Sequence, residues 1–286
     1  MKQITLISGK GGTGKTSLVA ALASWMQNTI FTDCDVDAAN LYLLLRPEIK
    51  QSYPFAGGAT ARIDAGKCTQ CGICLELCRF NAIIETQGNF RVDEIHCEGC
   101  KLCMHACPEN AIHMIRSQSS AWYESITRFG PMLHARLGIG EDLSGKLVAK
   151  LREKARELAK RVNADYILTD GPPGVGCPVI ASINGADLVV VVTEPTLAGL
   201  ADLKRAKQLA DHFKIAVKVI VNKADINPEM TCRIRTYCHK TKMEIAGIIP
   251  YDEVFLNAMI GQLTVPEYDP ENAINRILQD IIQRIR

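Results

Sequence analysis

A doubly wound α/β domain with a mostly parallel sheet, interrupted by a small cysteine-bearing module, is the architecture that three features of this sequence predict. The first is an alternation of short apolar runs with helical patterns, beginning with Ile4 to Ile7 and then Leu18 to Met26. Right-handed crossovers between such strands place helices on both faces of the sheet. The second is a glycine-rich loop, Gly9-Lys10-Gly11-Gly12-Thr13-Gly14-Lys15-Thr16-Ser17, between that first apolar run and that first helical pattern. The third is a block of patterned cysteines between Cys68 and Cys107, where the composition shifts abruptly. A chain of 286 residues is long enough for one large α/β domain and an extra module.

Composition excludes several classes. Lys and Arg number 33 against 31 Asp and Glu, a net charge of +2, so bulk charge does not announce a nucleic-acid partner. The chain enters a strand at once, without a signal-peptide pattern, and no run approaches the ~18 apolar residues of a membrane helix. A soluble, cytoplasmic protein without stable membrane insertion is expected. Twelve cysteines are too many for a reducing compartment unless most of them hold metal or do redox work.

The glycine-rich loop explains itself physically. Glycines let backbone N–H groups turn inward around an anion, and a helix N-terminus favours negative charge. The spacing of Gly9 to Gly14-Lys15-Thr16 fits the P-loop, in which Lys15 reaches the terminal phosphates and the Thr16 hydroxyl binds Mg²⁺. Lys10 is an addition that the general motif does not require. With it, the loop resembles the deviant P-loop of the MinD/ParA/Mrp-type ATPases, a family that includes the nitrogenase iron protein. The resemblance implies that Lys10 crosses to a partner's nucleotide, hence a homodimer or a heterodimer with a similar ATPase.

Downstream, Thr29 to Thr32 is a strand that delivers Asp33-Cys34-Asp35 at its carboxyl end, where ligands of parallel sheets sit. Asp35 resembles the family's first switch aspartate, which orients the attacking water, and Asp33 is expected near Mg²⁺. Asp37 is expected to cap a helix from Ala38 to Leu45. Residues 49–66 read as an edge hairpin or linker.

Cys68, Cys71, Cys74 and Cys78 follow C-x2-C-x2-C-x3-C, and Cys97, Cys100, Cys103 and Cys107 repeat it. Asn81-Ala82-Ile83 recurs as Asn110-Ala111-Ile112 at the same offset of 29 residues, so the segment is duplicated. In this spacing three thiolates wrap one cubane and the fourth ligates the other. Cys68, Cys71, Cys74 and Cys107 are thereby assigned to one [4Fe-4S] cluster, and Cys97, Cys100, Cys103 and Cys78 to a second. Zinc also takes four sulfurs, but its usual arrangement is two separate pairs. Residues 63–115 resemble a bacterial two-cluster ferredoxin, with Arg79 where proline usually follows the first quartet. His96, His105 and His113 flank the quartets and are surplus to them.

Residues 117–141, with Trp122, Tyr123, Phe129 and His134, carry no assignable chemistry. Gly145 to Val162 forms an amphipathic helix with Leu147, Leu151, Ala155, Leu158 and Val162 on one face and its basic residues in solvent. Tyr166 to Thr169 is a buried strand leading into Asp170-Gly171-Pro172-Pro173-Gly174, which resembles the family's second switch, with Asp170 as the aspartate near the Mg²⁺ waters. Cys177 follows; it is either a small buried residue before Pro178 or, as the resemblance of this switch to the nitrogenase iron protein implies, an inter-subunit redox or cluster-transfer site. The strand Ala216 to Val221 ends in Asn222-Lys223-Ala224-Asp225, which mimics the guanine-reading N-K-x-D. In the resembled family the matching asparagine reads adenine, so ATP is expected, with Pro250 and Tyr251 flanking the base. Cys232 and Cys238 are ordinary thiols on one helix, and a helix from about Pro270 to Ile285 closes the core.

The sequence is therefore read as a discontinuous ATPase domain, residues 1–62 and 116–286, with a two-cluster ferredoxin-like insert at 63–115. The two resemblances together imply ATP, Mg²⁺ and two [4Fe-4S] clusters, with Lys10, Lys15, Asp35 and Asp170 catalytic. ATP turnover is expected to gate electron transfer to a redox or metallocofactor-assembly protein. A cluster carrier is the alternative, and a MinD-like positioning ATPase a third.

Overall fold

The computed structural model describes residues 1–116, 120–138 and 144–286. Its elements run β1 (Lys2–Ser8), α1 (Lys15–Ala23), β2 (Thr29–Asp33), α2 (Leu41–Leu45), β3 (Glu48–Phe55), β4 (Ala59–Ile63), α3 (Ile73–Leu77), β5 (Ile83–Thr86), β6 (Asn89–Val92), α4 (Leu102–Ala106), β7 (Ile112–Arg116), β8 (Ser120–Thr127) and β9 (Gly130–Arg136). They continue with α5 (Ser144–Val162), β10 (Tyr166–Pro173), α6 (Cys177–Ile183), β11 (Leu188–Thr193), α7 (Leu197–His212), β12 (Ala216–Val221), α8 (Pro228–Lys240), β13 (Glu244–Ile248), α9 (Val254–Ile260), α10 (Val265–Tyr268) and α11 (Ile274–Ile285).

One compact unit comprises Met1–Ser52, Trp122–Ala135 and Ser144–Arg286, and a second comprises Tyr53–Ala121 with Arg136–Leu143. The large sheet has the order β13-β12-β11-β1-β10-β2-β9-β8-β3. From β13 to β9 every neighbouring pair is parallel. The continuous apolar runs explain this: Leu188–Thr193 is buried at every position, as a strand covered on both faces must be. Two cores result. One joins α1, α9 and α11 to one face of the sheet, and the other joins α6, α7 and α8 to the opposite face.

Several expectations change at this level. The helix expected over 38–45 begins only at Leu41, whose N–H donates to Asp33 Oδ2 over 3.2 Å. On α5, Val162 is exposed, while Val148 and Arg152 are buried. Arg152 is thus no solvent-facing base; its guanidinium donates to Thr5 Oγ1 (3.0 Å), Gln3 Oε1 (3.1 Å) and the Asn184 carbonyl (3.2 Å). The stretch 120–136, to which the sequence assigned no role, supplies two strands of the main sheet. Arg128, in the turn between them, grips the Glu267 carboxylate and the Leu44 carbonyl. The remainder of 117–141 lies outside the described residues. The segment 49–66 holds the edge strand β3 and then β4, which pairs antiparallel with β7. That pairing places Ala59–Ile63 in the second unit, ahead of the boundary expected at 63.

The second unit is built as two copies of one pattern. Helix α4 follows α3 by 29 residues, and the left-handed backbone positions Gln70, Gly72 and Asn81 recur at Gly99, Lys101 and Asn110. Asp64 and Asp93 each accept a backbone N–H two residues ahead, at 2.9 and 3.0 Å. Ala82 and Ala111 are both buried, and Ile83 and Ile112 share one small core.

Candidate functional site

The loop between β1 and α1 lies at the carboxyl end of the sheet, flanked by β10 and β11, where strand order reverses. Gly14 caps α1 with φ +81°, and a Cβ there would stand 2.5 Å from Asn222 Nδ2, so both backbone sign and space require glycine. Lys15, almost fully buried, pairs with Asp170 Oδ1, and the Thr16 hydroxyl donates to Asp170 Oδ2 at 2.7 Å. Asp35 Oδ2 stands 3.9 Å from Lys15 Nζ. Burial works against the charge on Lys15, but Asp170, Asp35 and Asp33 outweigh it and hold the amine above its ordinary range. Burial pushes Asp35 up to about 6, with the nearby carboxylates of Asp170 and Asp37 adding to the shift and Lys15 opposing it.

Asp33, expected near Mg²⁺, is also engaged by backbone. It is fully buried, and its two oxygens accept the backbone N–H groups of Asp35 (3.1 Å) and Leu41 (3.2 Å). Burial and the Asp170 charge push it up to about 8. The carboxylate facing Thr16 is that of Asp170, so Asp33 shapes the turn that presents Asp35. Asp170 lies inside β10, which runs on through Pro173.

The loop after β12 is tied to the P-loop. Asn222 Nδ2 donates to the Thr13 carbonyl at 2.8 Å, and Lys223 Nζ to the Gly12 carbonyl at 3.1 Å. Beside them opens a cavity of about 250 Å³ whose lining includes Gly14, Ser17, Asn222, Pro250 and Tyr251. Phe255, Leu256 and Met259 of α9 form its apolar wall, a contribution that sequence reasoning missed. Asp225, the last member of the N-K-x-D look-alike, accepts the Tyr251 N–H at 2.6 Å. The Thr13 hydroxyl oxygen is buried with no partner, which suits a loop whose remaining contacts belong to a phosphate ligand. Lys10, 45% exposed at its side chain, pairs with Glu194 Oε2 at 3.1 Å within its own chain, and Glu194 too was not singled out from the sequence. Cys177 opens α6 and is exposed, not buried.

In the second unit the eight patterned cysteines fall into two groups. Cys68, Cys71, Cys74 and Cys107 line one cavity, and Cys78, Cys97, Cys100 and Cys103 line another. Each group takes three thiols from one repeat and the fourth from the other. Backbone N–H groups of Ala82 and Ala111 point at Cys78 and Cys107 Sγ at 3.4 and 3.3 Å, and Ala61 N points at Cys97 Sγ at 3.4 Å. All twelve cysteines are free. Among the described residues no three Cys, His, Asp or Glu side chains meet closely enough for a single metal ion. The thiols stand instead around the cavity walls. His96 is exposed and bonds Asp93 at 2.9 Å. Cys232 is exposed and Cys238 buried on α8, so they face different ways. Among the described residues no helix is long and apolar enough to cross a membrane.

Comparison with known proteins places this geometry. Residues 4–265 match the CobQ/CobB/MinD/ParA nucleotide binding domain family. An uncharacterized protein of Methanocaldococcus jannaschii is 36% identical over 228 residues, covering 79% of each chain. The MinD cell division protein of Aquifex aeolicus has a similar fold, with a TM-score of 0.59 at 21% identity over 100% of this chain and 96% of that one. The septum site-determining protein MinD of Pyrococcus horikoshii, solved with Mg-ADP, gives 0.58 at 16% identity over 99% and 95%. The chain belongs to the CobQ/CobB/MinD/ParA family of nucleotide-binding domains and is a P-loop ATPase.

Proposed function

We propose that this ATPase couples nucleotide turnover to one-electron transfer toward a redox or metallocofactor-assembly partner, and that it works as a homodimer or as a heterodimer with a similar ATPase. The observation that carries the reading is the grouping of the cysteines: two interlocked sets of four thiols, each around its own cavity. Cys68, Cys71, Cys74 and Cys107 would hold one [4Fe-4S] cluster and Cys78, Cys97, Cys100 and Cys103 the other, and these groups supply one-electron chemistry when bound. The donor chemistry fits, since thiols are the usual cubane ligands and the amides of Ala61, Ala82 and Ala111 would support sulfur charge.

In the ATPase unit, Lys15 would exchange Asp170 for the terminal phosphates, and the P-loop amides of residues 9–17 would cradle them. Thr16 and Asp170 would hold Mg²⁺, which supplies charge neutralisation at the phosphates. Asp35 would orient the attacking water, and Lys10 would reach the nucleotide of the second chain. Asn222, Pro250 and Tyr251 would receive adenine. In the sequence, the second unit is inserted between the strand that leads to Asp35 and the strand that bears Asp170, which favours coupling between turnover and the clusters.

The test is anaerobic purification with iron and sulfide quantitation, expected at about eight of each per chain. Lys15→Ala should then abolish ATP-dependent reduction of the partner while both cluster signals persist. Zinc in place of iron, or partner reduction indifferent to Lys15, sinks the reading. A carrier role, with clusters as cargo, is favoured by the exposure of Cys71 and Cys100; clusters that survive chelator through many turnovers argue against it. For a positioning ATPase the fold likeness to MinD is the support. Against it, α11 spends its apolar side, with Ile274, Leu278, Ile281 and Ile285, in the core rather than offering it to a membrane.

A further inference from the structure

We propose that Glu194 is a positioning residue of the ATP site: one carboxylate that holds Lys10 within its own chain and clamps Lys223 onto the P-loop. Glu194 directly follows β11, which pairs with the P-loop strand β1 in the register Ser8 to Val192, so the chain must emerge beside the loop. It is a charged side chain in a nearly closed place, 8% exposed. A carboxylate so placed is costly unless cations meet it. Two do, one on each oxygen: Lys223 Nζ reaches Oε1 at 2.6 Å and Lys10 Nζ reaches Oε2 at 3.1 Å. Burial opposes the charge on Glu194, but the two lysine hydrogen bonds outweigh it and hold the carboxyl below its ordinary range.

The two lysines are not equivalent. Lys223 has a second bond, to the Gly12 carbonyl at 3.1 Å, and its neighbour Asn222 binds the Thr13 carbonyl, so the Glu194–Lys223 pair stiffens the loop that must cradle phosphate. Among the described residues Lys10 has no second side-chain bond, and its side chain is 45% exposed. An exposed lysine held by one carboxylate is weakly held, and a polyphosphate, with more charge, outcompetes a single carboxylate for it. Glu194 therefore retains Lys223 through the cycle and surrenders Lys10. That Lys10 goes to the phosphates of a second chain rests on the function proposed above; the clamp on Lys223 does not.

The experiment compares the full chain with Glu194→Gln, Glu194→Asp and Lys223→Met. Two quantities are read: the KM and kcat for ATP, and the protein concentration at which a non-hydrolysable ATP analogue drives dimerisation in sedimentation. Glu194→Gln should raise the KM roughly fivefold with a smaller change in kcat, and should lower the dimer midpoint about threefold, because Lys10 no longer has a pair to break. Lys223→Met should reproduce the KM effect without the dimer effect, and Glu194→Asp should return both toward the unaltered chain. An unchanged KM in Glu194→Gln overturns the clamp. A dimer midpoint that stays put or rises overturns the hold on Lys10. An unaltered chain that binds ATP and never dimerises overturns the dimer and Lys10's destination together, and leaves the KM comparison to decide the clamp.

Discussion

Asn222 and Thr13 join the two halves of the nucleotide site: the amide Nδ2 of the first donates to the backbone carbonyl of the second over 2.8 Å, in a buried setting. The same Nδ2 fills the space that a side chain at position 14 would need. Removing it in Asn222→Ala leaves the Thr13 carbonyl without this donor and loosens the loop just where phosphate is gripped. An unmade buried hydrogen bond costs about 1–3 kcal/mol of stability, so the melting temperature should fall by a few degrees, and the loosened loop should bind ATP roughly tenfold more weakly, read by calorimetric titration.

Gly9 makes a sharper demand. A Cβ on it would lie 2.0 Å from the Cβ of Asp202, on α7, which is not the free end of a flexible side chain. Gly9→Ala must therefore push the P-loop off α7. Overpacking of this kind costs about 1–3 kcal/mol, and ATP binding should be lost before the fold is. Circular dichroism melts alongside nucleotide titration separate the two; unimpaired ATP binding in Gly9→Ala would show that α7 yields instead.

What the sequence disclosed follows from where its residues lie. Strands β1, β10, β11 and β12 are legible because burial on both faces forces continuous apolar runs, and the P-loop because glycine, lysine and threonine act there through their own chemistry. Strands β8 and β9 were opaque for the opposite reason. Their buried positions include Ser120, Ser125, Thr127 and His134, polar residues satisfied by one another or by backbone, which erase the apolar alternation a strand reading needs. Glu194 left no spacing signal, only an acidic residue at the carboxyl end of an apolar parallel strand, a place where ligand-site groups collect. The apolar wall of Phe255, Leu256 and Met259 looks in sequence like any helix face.

His134 makes part of that polar interior testable by pH. It is stacked against Tyr123 with ring centroids 5.0 Å apart, and its Nε2 meets Ser125 Oγ at 2.9 Å. Burial drops its pKa from 6.5 to about 4. Between those values the unfolded chain binds a proton that the folded chain refuses, so stability falls as pH is lowered from 6.5 toward 4 and is fully retained above 6.5. The loss attributable to this group is roughly 3 kcal/mol. Urea unfolding at pH 7 and pH 4.5 should show a steeper acid loss in the unaltered chain than in His134→Gln; equal slopes would place the acid sensitivity elsewhere.

Cys107 separates the interlocked arrangement from a simpler one. In sequence it completes the second quartet, yet it lines the cavity of Cys68, Cys71 and Cys74, while Cys78 lines that of Cys97, Cys100 and Cys103. If the thiols hold clusters as grouped, Cys107→Ser should weaken the site formed by the distant first quartet and spare the cysteines next to it in sequence. Under native conditions an alkylating reagent should then modify Cys68, Cys71 and Cys74 while Cys97, Cys100 and Cys103 stay protected, a pattern that peptide mass spectrometry reads directly. Iron should fall to about half. Cys78→Ser should give the mirror result, exposing Cys97, Cys100 and Cys103. Loss of protection confined to the altered residue's own quartet would mean that each repeat binds its cluster alone, and the crossed grouping would have to be abandoned.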